Sequence, residues 1–219
     1  MTLIVACGLK REARIVARAS GDVVTVIGGG DAMRLEAALE RAASAARAEL
    51  VEGSAAIILS CGIAGALVPS LEPGEIVIDG DAAVVERLGQ ALPRAHRGTI
   101  AGSDTIAATV AEKRALAQRT GALAVDMESH VAARVAARHG LRFAALRVIS
   151  DRATDDLPPA ALVGMRPDGG MALGAVLASL ARNPAQLPAL IRTGRQADRA
   201  FSSLSQAFEA IIRAGIDRL

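Results

Sequence analysis

Aromatic side chains are almost missing from this sequence. Its 219 residues include no Trp, no Tyr and only three Phe. That leaves no stacking platform for single-stranded nucleic acid. With a formal net charge of only +2 and no Lys/Arg block, there is no phosphate track either. No nucleic-acid partner is expected. Cysteine is equally scarce. Cys7 and Cys61 lie far apart with no secretory leader before them, so they read as small buried thiols kept reduced in a cytoplasmic protein. His96, His130 and His139 share no metal-ligand spacing with the cysteines or with one another, so no metal is expected. Long hydrophobic runs are also absent. The longest, Ala55 to Val68, is interrupted by Ser60, Gly62 and Gly65 and is too short to cross a bilayer.

Apolar residues make up 52% of the chain and charged residues 22%, the balance of a globular protein with a sizeable core. Strand-like and helix-like segments alternate up to Ile149. Thr2–Ala6, Asp22–Ile27, Ala55–Leu59, the stretch from Pro73-Gly74 to Ile78, and Thr99–Gly102 read as strands. Residues 31–51 and 107–119 read as helices, the second with a charged face. This rhythm predicts an α/β fold with a mainly parallel sheet and helices on both faces. No repeat or low-complexity linker divides the chain, which reads as a single domain over residues 1–219. Gly28-Gly29-Gly30 is not a dinucleotide fingerprint, because position 33 is Met where that pattern needs a third glycine. No cofactor is expected. Ser60 to Leu67 reads as a glycine loop, either a tight turn or a place where backbone approaches a ligand closely.

The most informative stretch is 122–156. Ala122–Val125 is a short apolar strand ending at Asp126-Met127-Glu128. A helix follows to His139-Gly140, and then a strand from Phe143 to Ile149 that ends at Ser150-Asp151. If the two strands are parallel neighbours, both acidic clusters sit on the rim where open α/β sheets bind ligands. Carboxylates facing one another there can be driven to different pKa values.

Val125-Asp126-Met127-Glu128 followed by Arg147-Val148-Ile149-Ser150-Asp151 resembles the signature of the nucleoside phosphorylase and nucleosidase superfamily. It is closest to the methylthioadenosine/S-adenosylhomocysteine nucleosidase branch. The loop after Asp151 and the C-terminal third resemble the hopanoid-biosynthesis nucleosidase that acts on adenosylhopane. The resemblance implies a three-layer α/β/α sandwich around a mixed sheet, with residues 157–219 as a subgroup-specific helical extension. It also implies cleavage of the N-glycosidic bond of a 5′-substituted adenosine, and a homo-oligomer, dimeric or higher.

The same resemblance assigns roles. Asp151 would protonate the departing adenine, its carboxyl held neutral by a partly apolar pocket; without the motif it would read as a loop or capping aspartate. Glu12 would orient the attacking water, the alternative being a surface glutamate paired along a helix. Glu128 would grip the ribose hydroxyls, with Met127 packed on the sugar or simply in the core. Ser150, Gly62, Ile63, Ile106 and Ala107 would complete the substrate site. Asp126 is left a structural role. Ile63 replaces a serine usual in the nucleosidases. The apolar Ile57-Ile58-Leu59 stands where phosphorolytic relatives carry an arginine, which favours water over phosphate as nucleophile.

The C-terminal third is Pro- and Gly-rich to Gly170. A short helix at 171–181 and a long one from Leu187 to Arg213 then follow. The apolar stripe of the long helix either docks on the core or, with the loop before it, meets a lipid substrate or the membrane periphery.

Overall fold

The computed structural model describes residues 2–20, 23–49, 56–164, 166 and 168–216. The three most continuous apolar runs form the centre of the sheet: β1 (Thr2–Cys7), β3 (Ala56–Ala66) and β8 (Arg142–Asp151). Strands buried on both faces need such runs, and β1 and β3 each keep nearly every residue out of solvent. With β2 (Val24–Ile27), β4 (Ile76–Gly80) and β5 (His96–Arg97), the order is β2-β1-β3-β8-β4-β5. Pairing is parallel except that β4 runs against β8. A side arm of β6 (Ile100–Gly102) and β7 (Ala124–Asp126) joins β3 at its far end, β7 antiparallel to it.

Helices cover both faces. α1 (Lys10–Ala19), α3 (Ala82–Ala91) and α8 (Leu187–Arg213) bury Val16, Leu88, Phe201, Leu204 and Phe208 against one face. α2 (Ala32–Glu49) and α5 (Ser129–His139) bury Leu35, Leu39, Val131 and Val135 against the other. α4 (Val110–Thr120) lies along the β6–β7 arm with Leu116 inward. Thr109 and Glu112 form a capping box at its start. Gly140 ends α5 at φ +61°, the left-handed cap expected from His139-Gly140. The three-layer α/β/α sandwich with a mixed, mostly parallel sheet therefore stands as expected.

Two local expectations do not hold. The strand ending at Asp126 and the strand ending at Asp151 are not parallel neighbours: β3 lies between them, and β7 runs opposite to both. Nor is Ser60 to Leu67 a glycine loop. β3 continues through Ser60, Cys61, Gly62 and Ile63 to Ala66, with a register shift between Ala64 and Gly65. The reason is pairing. β8 hydrogen-bonds β3 along its whole length, so backbone that could turn is held extended. The glycines instead leave room for side chains. A Cβ on Gly62 would sit 2.5 Å from both Arg147 Nη1 and Glu12 Oε1.

That long strand creates the site. On the edge of β3 away from β8, β1 pairs as far as Ser60 and β7 begins at Gly65. Among the described residues no strand pairs with that edge from Cys61 to Ala64. The sheet forks there, and the gap opens beside the carboxyl end of β1.

The C-terminal extension has two parts. From Ala200 onward α8 docks on the core through Phe201, Leu204, Ala207, Phe208 and Ile211. Before that, α6 (Pro159–Leu162), α7 (Leu173–Arg182), a 3-10 turn at Pro184–Gln186 and the first turns of α8 lie outside the sandwich, and α7 buries no residue. Residues 50 and 51, the last of the helix expected at 31–51, lie outside the described residues, as does Asp22.

Candidate active site

Glu12 fills the fork. It sits in the first turn of α1, with only 2% of its surface exposed. Oε2 accepts from the backbone N–H of Gly8 and Leu9, both at 2.8 Å, and Oε1 accepts from Ile63 N–H at 2.8 Å. One carboxylate thus satisfies the start of a helix and an unpaired strand edge together. It is not the exposed helical glutamate of the alternative reading.

Arg147, on β8 opposite Gly62, is fully buried beside it. Its guanidinium pairs with Asp126, lies 3.4 Å from Glu128, and donates to Ser60 Oγ at 2.5 Å. Nε and Nη1 donate to no group among the described residues. Asp126 also receives Ser129 Oγ–H and N–H, which ties it to the first turn of α5. Three carboxylates, Glu12, Asp126 and Glu128, therefore converge on one guanidinium in a buried space. Burial would push Arg147 down, but Asp126, Glu128 and Glu12 hold its pKa above the usual value. Burial raises Glu12, against the pull of Arg147 and its backbone donors. Burial likewise raises Glu128, to about 8; Arg147 opposes this, while Asp126 and Glu12 add to it. Three negative charges against one positive cannot all persist in a low dielectric, so the cluster retains a proton at neutral pH.

Asp151 ends β8 across the cleft. The sequence led us to expect a partly apolar, water-excluded pocket around it. The structure places an ammonium there instead. Lys113 Nζ, with no exposed side-chain surface, donates to Asp151 Oδ2 at 2.5 Å, to Arg152 O at 2.7 Å and to Asp155 O at 2.9 Å. Asp151 Oδ1 lies 2.9 Å from Ser150 Oγ, which is also 3.1 Å from Ala64 O. Val110 N–H donates to Asp156, and Leu157 N–H to Ala108 O, so the start of α4 and the loop after β8 are also joined by backbone donors.

Glu12, Asp126, Glu128, Ser150 and Asp151 line one cleft of ≈ 200 Å³, while Arg147 and Lys113 lie behind its wall. Of the residues expected in the site, Asp151, Glu12, Glu128, Met127, Ser150, Ile63, Ile106 and Ala107 all border it. Gly62 does not; it lies beneath, against Glu12 and Arg147. Gly8, Leu9, Thr105 and Leu157 also border the cleft. Gly8 has a clear role, since a Cβ there would overlap Glu128 Oε1. Among the described residues no group of three His, Cys, Asp or Glu is arranged to hold a metal. The clustered carboxylates are engaged by Arg147.

The family model that matches this chain is that of the phosphorylase superfamily, over residues 79–182, just under half the length. Solved structures match almost throughout. The 5′-methylthioadenosine/S-adenosylhomocysteine nucleosidase of Neisseria meningitidis, in complex with methylthio-immucillin-A, superposes with a TM-score of 0.66 at 14% identity, covering 97% of this chain and 98% of that one. The S-adenosylhomocysteine nucleosidase of Streptococcus pyogenes, with 5-methylthiotubericidin, gives 0.65 at 14%, covering 97% and 96%. Futalosine hydrolase of Helicobacter pylori gives 0.63 at 12%, covering 97% of each chain. The fold is therefore that of the nucleoside phosphorylases and nucleosidases. No curated protein matches by sequence.

Proposed function

We propose that the chain is a purine nucleosidase that hydrolyses the N-glycosidic bond of a 5′-substituted adenosine, with adenosylhopane as substrate and ribosylhopane and adenine as products. One observation carries the reading: Glu12, Glu128 and Asp151, brought from α1, the start of α5 and the end of β8, face a single cleft over a buried arginine. In this reading a water held by Glu12 attacks the anomeric carbon and gives its proton to Glu12. The carbon–nitrogen bond breaks with its electron pair going to the purine. Asp151 transfers a proton to N7 as that bond breaks, and the carboxylate left behind is held by Lys113 Nζ. Glu12, raised by burial, is a stronger base than a solvated carboxylate. Glu128, largely neutral at pH 7, can both donate to and accept from the ribose hydroxyls. Met127, Ile106 and Ala107 supply the apolar walls for sugar and base.

Water is favoured over phosphate on electrostatic grounds. Arg147 is already engaged by Asp126, Glu128 and Glu12, so a phosphate dianion brought to that point would find its charge offset and meet the repulsion of the ionised carboxylates. A cleft of ≈ 200 Å³ is smaller than a typical drug-sized site of roughly 300–1,000 Å³, so a bulky 5′ group would project outward past Leu157. Residues 157–208 would then border it. The chain would work as a homo-oligomer through other surfaces.

The test is adenine release from adenosylhopane and from methylthioadenosine, with and without phosphate. Turnover in phosphate-free buffer is expected, and Asp151→Asn should lower kcat by about 10²–10⁴-fold while leaving binding of adenosine analogues nearly intact. Strict phosphate dependence would make the protein a phosphorylase. Binding without any adenine release would make it a nucleoside-binding module.

A further inference from the structure

We infer that the surface built from α6, α7 and the first turns of α8 docks on an anionic lipid bilayer. Ten large hydrophobic side chains are exposed among the described residues, and seven of them fall between positions 162 and 191. Leu162, Met171, Leu173, Leu177, Leu187 and Ile191 are among the seven. Met171, Leu173 and Leu177 are 66%, 64% and 65% exposed, values ordinarily found for lysine rather than for leucine on a free surface. α7 is an apolar helix with no buried residue. No helix among the described residues is long and apolar enough to cross a membrane, so α7 could enter a bilayer only along its interface.

The charges decide what covers it. From Gly169 to Ala197 the chain holds Arg182, Arg192 and Arg195 and no Asp or Glu. Arg192 leans toward Asp155 at 4.0 Å; Arg182 and Arg195 form no ion pair among the described residues. A second copy meeting this patch through a twofold axis would set these arginines against their own images. An anionic headgroup layer complements them, with the leucines and methionine reaching the acyl boundary.

The surface is built, not frayed. Buried Gln186 accepts from Ala160 N–H at 2.9 Å and donates to Ser179 O at 2.8 Å, pinning α6, α7 and the 3-10 turn together. Ala172 N–H donates to Gly164 O at 2.8 Å. It also adjoins the cleft. Leu157 in the cleft wall lies two residues before α6, and Gly169 O accepts from Lys10 N–H at the start of the helix that carries Glu12. Docking would therefore bring the cleft mouth to the lipid. The inference rests on the nucleosidase reading only for why that proximity matters; attachment itself needs no turnover.

Co-sedimentation with vesicles tests it. Wild-type protein should pellet with phosphatidylcholine vesicles containing phosphatidylglycerol, and far less with phosphatidylcholine alone. Arg182→Gln with Arg195→Gln should weaken partitioning roughly twenty-five-fold, about fivefold per arginine. Leu173→Ser with Leu177→Ser should weaken it at least about tenfold. Both variants should keep wild-type circular dichroism. Wild-type protein that stays in the supernatant with anionic vesicles, or variants that bind as well as wild type, would overturn the inference. So would a dimer in solution that the leucine variant converts to monomer without any vesicle binding, since the face would then belong to a second copy. Vesicle binding by a protein that releases no adenine would sink the nucleosidase reading and leave the docking surface standing.

Discussion

A lysine with no exposed side-chain surface is tolerated only if its protons are used, and Lys113 gives all three to the segment that carries Asp151. Replacing it with Met would leave the buried Asp151 carboxyl without its cation, with Ser150 Oγ as its remaining partner. Lys113→Met should cost about 3–5 kcal/mol of stability, read from urea unfolding, and should cut adenine release as Asp151 and the 152–155 loop lose their anchor. Gly62 makes the complementary point by what it lacks. Gly62→Ala would drive a methyl group into Arg147 and Glu12. With Glu12 displaced by even about 1 Å, turnover by the proposed mechanism should fall by roughly 100-fold, measured as initial rate of adenine release. Asp151 and Glu128 were legible in the sequence through their motif, and Glu12 through its place soon after the first strand. Lys113 was not. It sits in Glu112-Lys113-Arg114, which reads as one charged helix face, and periodicity does not say which of two adjacent cations points inward.

At the level of elements, α8 divides at about Ala200. Its later turns are core, and Phe208 is fully buried there. Phe208→Ala should cost about 3–5 kcal/mol and, at roughly 2–4 °C per kcal/mol for a chain of this size, lower the Tm by about 10 °C in a thermal melt. The same apolar stripe in the first turns, Leu187 and Ile191, remains exposed. One helical period therefore carries both readings open in the sequence, docked helix and free face. Hydrophobic spacing shows that a stripe exists and not what lies opposite it. The glycine-containing strand β3 shows the same limit. Ser60-Cys61-Gly62 has the local composition of a turn, and only its partners hold it straight: β8 throughout, β1 before the fork, β7 after it.

For the molecule as a whole, the carboxylate cluster sets a pH dependence. Glu128 has a pKa of about 8 in the folded protein against 4.5 as its ordinary value. Between these values the folded state binds more protons than the unfolded one, so stability from this group is complete below about pH 4.5 and declines as pH rises toward 8. Glu12, shifted in the same direction, adds to the decline. Urea midpoints should accordingly fall from about pH 5 to about pH 8, and Glu128→Gln should flatten that slope. A midpoint rising across that window would show that the cluster holds no buried proton.

The amino-acid order alone determined the alternation of strands and helices, the sandwich architecture and the identity of the acidic residues, because each is written in local periodicity or in a short contiguous motif. It did not determine how β7 runs, that the sheet forks beside Ile63, that Lys113 faces Asp151, or which part of the C-terminal extension stays uncovered. Those depend on which surfaces meet across the fold: strand pairing chooses among backbone paths that are locally equivalent, and burial chooses among side chains that look alike in sequence.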